Sequence, residues 1–121
     1  MAMFSRKIHE VNPVELASRI EDEGEENFVI VDVREPQEYY GDMGHIKNSK
    51  LIPLMEIRDK VGEFSKTPGK EFVFVCSSGE RSYFACSFLK DQGIPNVRNL
   101  KGGMIQWHLS GLEVEHEGSL P

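Results

Sequence analysis

Cysteine is scarce in this chain of 121 residues: there are two, Cys76 and Cys86. Two thiols do not make a disulfide framework, and a separation of ten positions matches no zinc-ligand pattern. If Cys86 lies on a helix following Cys76, it sits roughly 9 Å further along the axis at about 1.5 Å per residue, beyond easy bridging. Positive charge is also short, with 14 Lys and Arg against 20 Asp and Glu and a net charge of -6. The basic residues form no patch, which argues against a nucleic-acid backbone or an anionic membrane as partner. No apolar run approaches the 18 or so residues of a membrane span, and Met1 to Glu10 lacks the apolar core of a signal peptide. Internal repeats and low-complexity stretches are missing as well. The expectation is a cytoplasmic protein of one domain over residues 1–121, with its core at about 8–115 and a polar tail at 113–121. No resident metal or cofactor is expected.

What the chain does have is enough apolar sequence, 39% hydrophobic residues, to bury a core of its own. Asn12-Pro13 reads as a helix cap followed by proline at the first helical position, with Val14, Leu16, Ala17 and Ile20 as the apolar face and Gly24 to Asn27 as the stop. Phe28 to Val33 and Phe72 to Val75 are continuous β-branched or aromatic runs, expected of strands covered on both faces in a parallel sheet. Between them the sequence predicts a turn of helix after Pro36, a weaker strand at Leu51 to Pro53, and a helix from about Leu54 to Phe64. Thr67-Pro68-Gly69 closes that helix. A further helix is expected over Ser82 to Gln92, with Phe84, Ala85, Phe88 and Leu89 inward and Gly93 as stop. Val97 to Leu100 then reads as a strand, and Gly102-Gly103 opens a last helix carrying Met104, Ile105, Trp107 and Leu109. Strands alternating with helices give an α/β fold: a central, mostly parallel sheet with helices on both faces.

The most informative segment is Val75-Cys76-Ser77-Ser78-Gly79-Glu80-Arg81-Ser82. An apolar strand ends on a cysteine, a polar loop follows, and a helix begins at once. Backbone N–H groups curled around the thiol, with the positive end of the helix behind them, favour a thiolate and can hold an anion. Gly79 permits the tight curl.

Three blocks resemble the rhodanese family of α/β domains, which carry sulfane sulfur on a cysteine persulfide. Val31 to Tyr39 (VDVREPQEY), followed by Gly44-His45-Ile46 and Ile52-Pro53, is similar to that family's first signature. Cys76 to Ser82 is similar to its active-site loop, and Leu100-Lys101-Gly102-Gly103 with Trp107 and Gly111 to its C-terminal signature. The blocks come in the family's order over roughly residues 8–115. The resemblance implies a three-layer rhodanese-like domain with Cys76 as sulfur carrier and Ser77, Ser78, Gly79, Glu80, Arg81 and Ser82 as the loop that holds the extra sulfur. It also implies a small donor, thiosulfate or a persulfide, and a thiol or cyanide-type acceptor; a protein persulfide is a further donor. Four residues separate Cys76 from Arg81, one fewer than in related cysteine phosphatases, so the ring suits one sulfur atom rather than a tetrahedral phosphate. Glu80 adds charge that disfavours a phosphate ester. The two-domain thiosulfate-cleaving members carry basic side chains around the pocket, whereas the positions aligned with them hold Glu38 and Ser78.

The supporting residues are Asp32, Arg34 and Glu38. Asp32 and Arg34 follow a central strand, where α/β sheets bind ligands, yet they read mainly as hydrogen-bonders of neighbouring loops. Arg81 reads as an ion-pair brace, with Glu38 as its partner, ahead of a substrate contact. Cys86 is expected in the core or on a helix surface with no relay role. His45 is expected to order its loop, and Trp107 and Met104 to pack in the core. The rival functions are a non-catalytic binding or regulatory module, a cysteine phosphatase and an arsenate reductase.

Overall fold

The computed structural model describes residues 7–24 and 27–116; the expected absence of a signal core before Lys7 and the tail beyond His116 lie outside them. In chain order the elements are β1 (His9–Val11), α1 (Pro13–Glu23), β2 (Phe28–Asp32), α2 (Pro36–Tyr39), β3 (Lys50–Leu51), a 3₁₀ segment (Leu54–Lys60), α3 (Val61–Ser65), β4 (Glu71–Val75), α4 (Glu80–Asp91), β5 (Val97–Leu100) and α5 (Gly103–Leu109). The five strands form one sheet in the order β1-β5-β4-β2-β3, and every pairing is parallel. Val31 stands opposite Phe74 and Asp32 opposite Val75, so β2 and β4 end level with one another.

Alternation along β4 divides the core. Phe72, Phe74 and Cys76 join Val31, Val33, Ile57, Phe64, Ala85, Cys86 and Leu89 on one face, beneath α4, α3 and the 3₁₀ segment. Val73 and Val75 join Ile30, Leu16, Leu100, Met104 and Trp107 on the other, beneath α1 and α5. Each fully buried Val, Leu or Phe contributes about 1.5–3 kcal/mol relative to leaving it exposed, so the two central strands carry much of the stability. Local chemistry agrees: Asn12 Oδ1 accepts from the Glu15 N–H at 2.8 Å, with Pro13 in the first turn of α1.

Several elements differ from expectation. β1 escaped the sequence pattern because only three residues form it, and Val11 alone is buried. The predicted Leu54–Phe64 helix is 3₁₀ as far as Lys60 and α-helical only from Val61. α4 starts at Glu80, two residues early, because Gly79 takes a left-handed conformation (φ 105°) as its cap. Val14 and Phe84 point outward, both 63% exposed; Ala85, Phe88 and Leu89 of α4 do pack inward, joined by the buried Ser82 and Cys86. The expected polar tail packs back in part, since His45 and Glu115 exchange backbone hydrogen bonds at 2.9 and 2.8 Å.

The chain leaves β2 towards β3 and leaves β4 towards β5, on opposite sides of the sheet. Such a reversal opens a crevice at the carboxyl ends of the two strands. The residues that follow them are Val33-Arg34 and Cys76-Ser77.

Candidate active site

Cys76 is 1% exposed and its sulfur lies inside the loop it begins. The Gly79 N–H points at Sγ from 3.1 Å and the Ser82 N–H from 3.4 Å, while the Ser82 hydroxyl lies 3.2 Å away. Two N–H groups and one hydroxyl, rather than a full ring of amides, therefore face the sulfur. Charge on the sulfur meets preorganised dipoles whose cost of alignment the fold has already met.

Two carbonyls had to turn away for this geometry, and α5 holds them. Met104 N–H donates to the Cys76 carbonyl at 2.8 Å and Ile105 N–H to that of Ser77 at 3.0 Å. Gly103 makes the approach possible: a Cβ there would lie 2.4 Å from the Cys76 oxygen and 2.5 Å from the Ser77 oxygen. The Gly102-Gly103 pair is legible in the sequence, but its task of gripping the cysteine loop is not.

Beneath the sulfur lies a buried polar relay that sequence reasoning missed. Ser82 is fully buried and its hydroxyl bonds Asn99 Oδ1. Asn99, 1% exposed, turns its amide nitrogen to Glu10 Oε2 at 2.9 Å and to the Gly79 carbonyl at 3.1 Å. A lone Asn in a short strand gives no signal of this. Its pairing with the cysteine loop becomes visible only when β5 lies beside β4.

Asp32 and Arg34 are both 1% exposed and form a closed ion pair, with Arg34 Nη2 to Asp32 Oδ2 at 2.8 Å and Nε to Oδ1 at 2.9 Å. Arg34 also donates to the Gly44 carbonyl at 2.8 Å and the Glu38 carbonyl at 3.3 Å, tying α2 and the following loop to the end of β2. His45 Nδ1 bonds the Tyr39 carbonyl at 2.8 Å and its ring stacks on Tyr39 at 3.8 Å, so it orders the same loop.

Glu38 faces the cysteine loop. Both arms of the Arg81 guanidinium donate to its carboxylate, each at 2.8 Å, and Ser77 Oγ donates at 2.9 Å. The Arg81 bonds are the main reason the Glu38 carboxyl sits at about 2, against an ordinary 4.5, with burial opposing them. Arg81 is raised in turn, chiefly by its hydrogen bonds to Glu38, with burial opposing them. Ser78 and Glu80 lie on the outer side of the loop and bond each other. With Gly79 they line a shallow cleft of about 920 Å³ that also takes in Val14, Tyr83 and Lys101; Cys76 is not in its wall.

Cys86 lies fully buried in the same cluster as Cys76, and burial pushes its thiol up, so it stays protonated. Among the described residues no group of three or more His, Cys, Asp or Glu is placed to hold a metal ion, and no helix is long and apolar enough to cross a membrane.

The family description "Rhodanese-like domain" matches residues 12–110. A sulfurtransferase of Allochromatium vinosum is 35% identical over 107 residues, which is 88% of this chain and 94% of that protein. A rhodanese-related protein from Thermoplasma volcanium superposes with a TM-score of 0.74 at 32% identity, covering 90% of this chain and 99% of the other. A thiosulfate sulfurtransferase from Pseudomonas aeruginosa superposes with a TM-score of 0.82 at 27% identity; 96% of this chain matches 22% of that one.

Proposed function

The chain belongs to the rhodanese-like domain family, and on that premise we propose that it is a sulfurtransferase moving sulfane sulfur from a donor to a thiol acceptor through a persulfide on Cys76. The observation that carries the reading is the convergence of the Gly79 and Ser82 N–H groups and the Ser82 hydroxyl on Cys76 Sγ. A relative of similar length that is named a sulfurtransferase supports it.

In the first step the Cys76 thiolate attacks the sulfane sulfur of the donor. The new bond is Sγ to sulfur, and the donor's own S–S bond breaks, its electron pair leaving as a thiolate from a persulfide or as sulfite from thiosulfate. The outer sulfur then carries the negative charge, next to the loop's amide dipoles. In the second step an acceptor thiolate attacks that outer sulfur, the Sγ–S bond breaks, and the Cys76 thiolate is regenerated. No net oxidation occurs, so the cycle needs no redox cofactor.

Intact mass spectrometry after incubation with thiosulfate and, separately, with glutathione persulfide tests this. Wild type should gain one sulfur, reversed by a thiol acceptor, Cys86→Ser should gain it too, and Cys76→Ser should not. A wild type that takes sulfur from neither donor, or a Cys76→Ser variant that still loads, overturns the reading.

A further inference from the structure

The segments at the carboxyl ends of β2 and β4, residues 32–38 and 76–82, together hold two arginines and four carboxylates: Arg34 and Arg81 against Asp32, Glu35, Glu38 and Glu80. Both arginines are already engaged. Arg34 is buried on Asp32 and two carbonyls. Arg81 presents both arms of its fork to Glu38 at 2.8 Å, and one of them also reaches Ser77 Oγ at 3.2 Å. Glu38 is itself fixed, because Oε1 accepts the Glu35 N–H at 3.0 Å in a reciprocal capping box and Oε2 accepts Ser77 Oγ at 2.9 Å.

We propose that Glu38 is the specificity-determining residue of this site: by closing the Arg81 guanidinium in an ion pair it removes the one loop cation that a dianionic donor needs, and so selects persulfides of small thiols over thiosulfate. The proposal rests on the sulfurtransferase reading of Cys76. Its physical content is local charge. A bidentate Arg–carboxylate pair is the geometry that guanidinium uses for planar anions, so an internal carboxylate in that place competes directly with a donor's oxygens. Arg81 reaches Ser77 Oγ, on the residue next to Cys76, at 3.2 Å, so a free Arg81 would attract an anion entering this loop. Thiosulfate brings two charges to this mouth, whereas a persulfide brings at most one on the sulfur to be transferred. The carboxylate of Glu38 remains ionised throughout any neutral assay, so the pair is closed in the resting protein.

The test compares thiosulfate with glutathione persulfide in steady-state sulfur transfer by wild type, Glu38→Gln, Glu38→Asp and Ser78→Lys. Glu38→Gln should raise kcat/KM for thiosulfate relative to the persulfide by about tenfold, mainly through a lower KM, and added salt should erode the gain. Glu38→Asp, which keeps the charge, should retain the wild-type ratio. Ser78→Lys leaves the pair intact and adds a cation to the loop, so it should shift the ratio in the same direction even if Glu38→Gln folds poorly. An unchanged ratio in Glu38→Gln, whatever Ser78→Lys does, or an equal rise in Glu38→Asp, overturns the proposal. Failure of wild type to load sulfur from either donor instead overturns the sulfurtransferase reading beneath it.

Discussion

The Ser82 hydroxyl is bound to Asn99 Oδ1 directly behind the sulfur of Cys76, and both side chains are buried. The Asn99 amide nitrogen is committed to Glu10 and to the Gly79 carbonyl, which fixes its oxygen towards Ser82. The single hydroxyl proton of Ser82 therefore has three acceptors within reach, the amide oxygen, Cys76 Sγ at 3.2 Å and the Gly79 carbonyl at 3.4 Å. Rotation about the C–O bond can aim it at any of these acceptors.

Ser82→Ala should then act twice. It removes one of the three donors facing Sγ, and it leaves the buried Asn99 oxygen without a partner, at a cost of about 1–3 kcal/mol. Denaturant unfolding should show the stability loss, and the rate of Cys76 sulfur loading should fall by more than the unfolded fraction accounts for. A variant that is less stable but loads sulfur at the wild-type rate would show that the hydroxyl serves the fold alone.

Gly103→Ala should be far more disruptive than Gly93→Ala, although both glycines have positive φ, 59° and 90°. Around Gly93 nothing lies within 4 Å of an added methyl, so backbone strain is the only cost. At Gly103 the methyl meets the carbonyl oxygens of Cys76 and Ser77 inside contact distance and drives α5 from the loop. Thermal unfolding of the two variants, with sulfur loading measured below the transition, separates the effects: Gly93→Ala should load normally and Gly103→Ala should not.

The central strands and the cysteine loop are legible in the sequence because their signals are local: β-branched runs for β2 and β4, and Cys-to-Arg spacing for the loop. What escapes is everything set by sheet order. β1 is recognised only through its partner, His9 to Val11 beside Arg98 to Leu100. Asn99 and Glu10 reach the site through the same pairing. Val14 and Phe84 fit a helical apolar stripe yet face outward. The Glu38–Arg81 brace was readable as a pairing of opposite charges in two signature blocks; its bidentate geometry was not.

Arg34→Met should destabilise the protein more than it alters the chemistry of the sulfur. The substitution keeps much of the apolar stem but strands the Asp32 carboxylate, which is 1% exposed, without its counter-charge. Loss of one partner of a buried pair costs about 3–5 kcal/mol, and here the Gly44 and Glu38 carbonyls lose donors as well. The double variant Asp32→Asn with Arg34→Met removes the orphaned charge and should recover part of the loss. Urea unfolding of the singles and the double gives the coupling; a double variant no better than Arg34→Met would place the cost in the lost carbonyl contacts instead.

The acid limb of stability should carry the signature of the Glu38–Arg81 pair. Glu38 sits at about 2 in the folded protein against 4.5 ordinarily, so between those values the unfolded chain binds the proton that the folded chain refuses. The pair's contribution is therefore fully present above pH 4.5 and is lost as pH falls towards 2. With 37% of the Arg81 side chain and 34% of the Glu38 side chain exposed, water screens part of that contribution, and the effect is smaller than for a buried pair. Glu38→Gln should be less stable than wild type at neutral pH and should lose less stability across this window, so the two curves converge in acid. Glu71, where burial is outweighed by Arg19 and Arg98, and Glu23, lowered by its hydrogen bond with Arg19, stay in both proteins and contribute to the residual slope. Chemical denaturation at a series of pH values measures both curves. A constant gap from neutrality down to pH 2 would mean that Glu38 stabilises the fold by packing and hydrogen-bond shape, with no contribution from its charge.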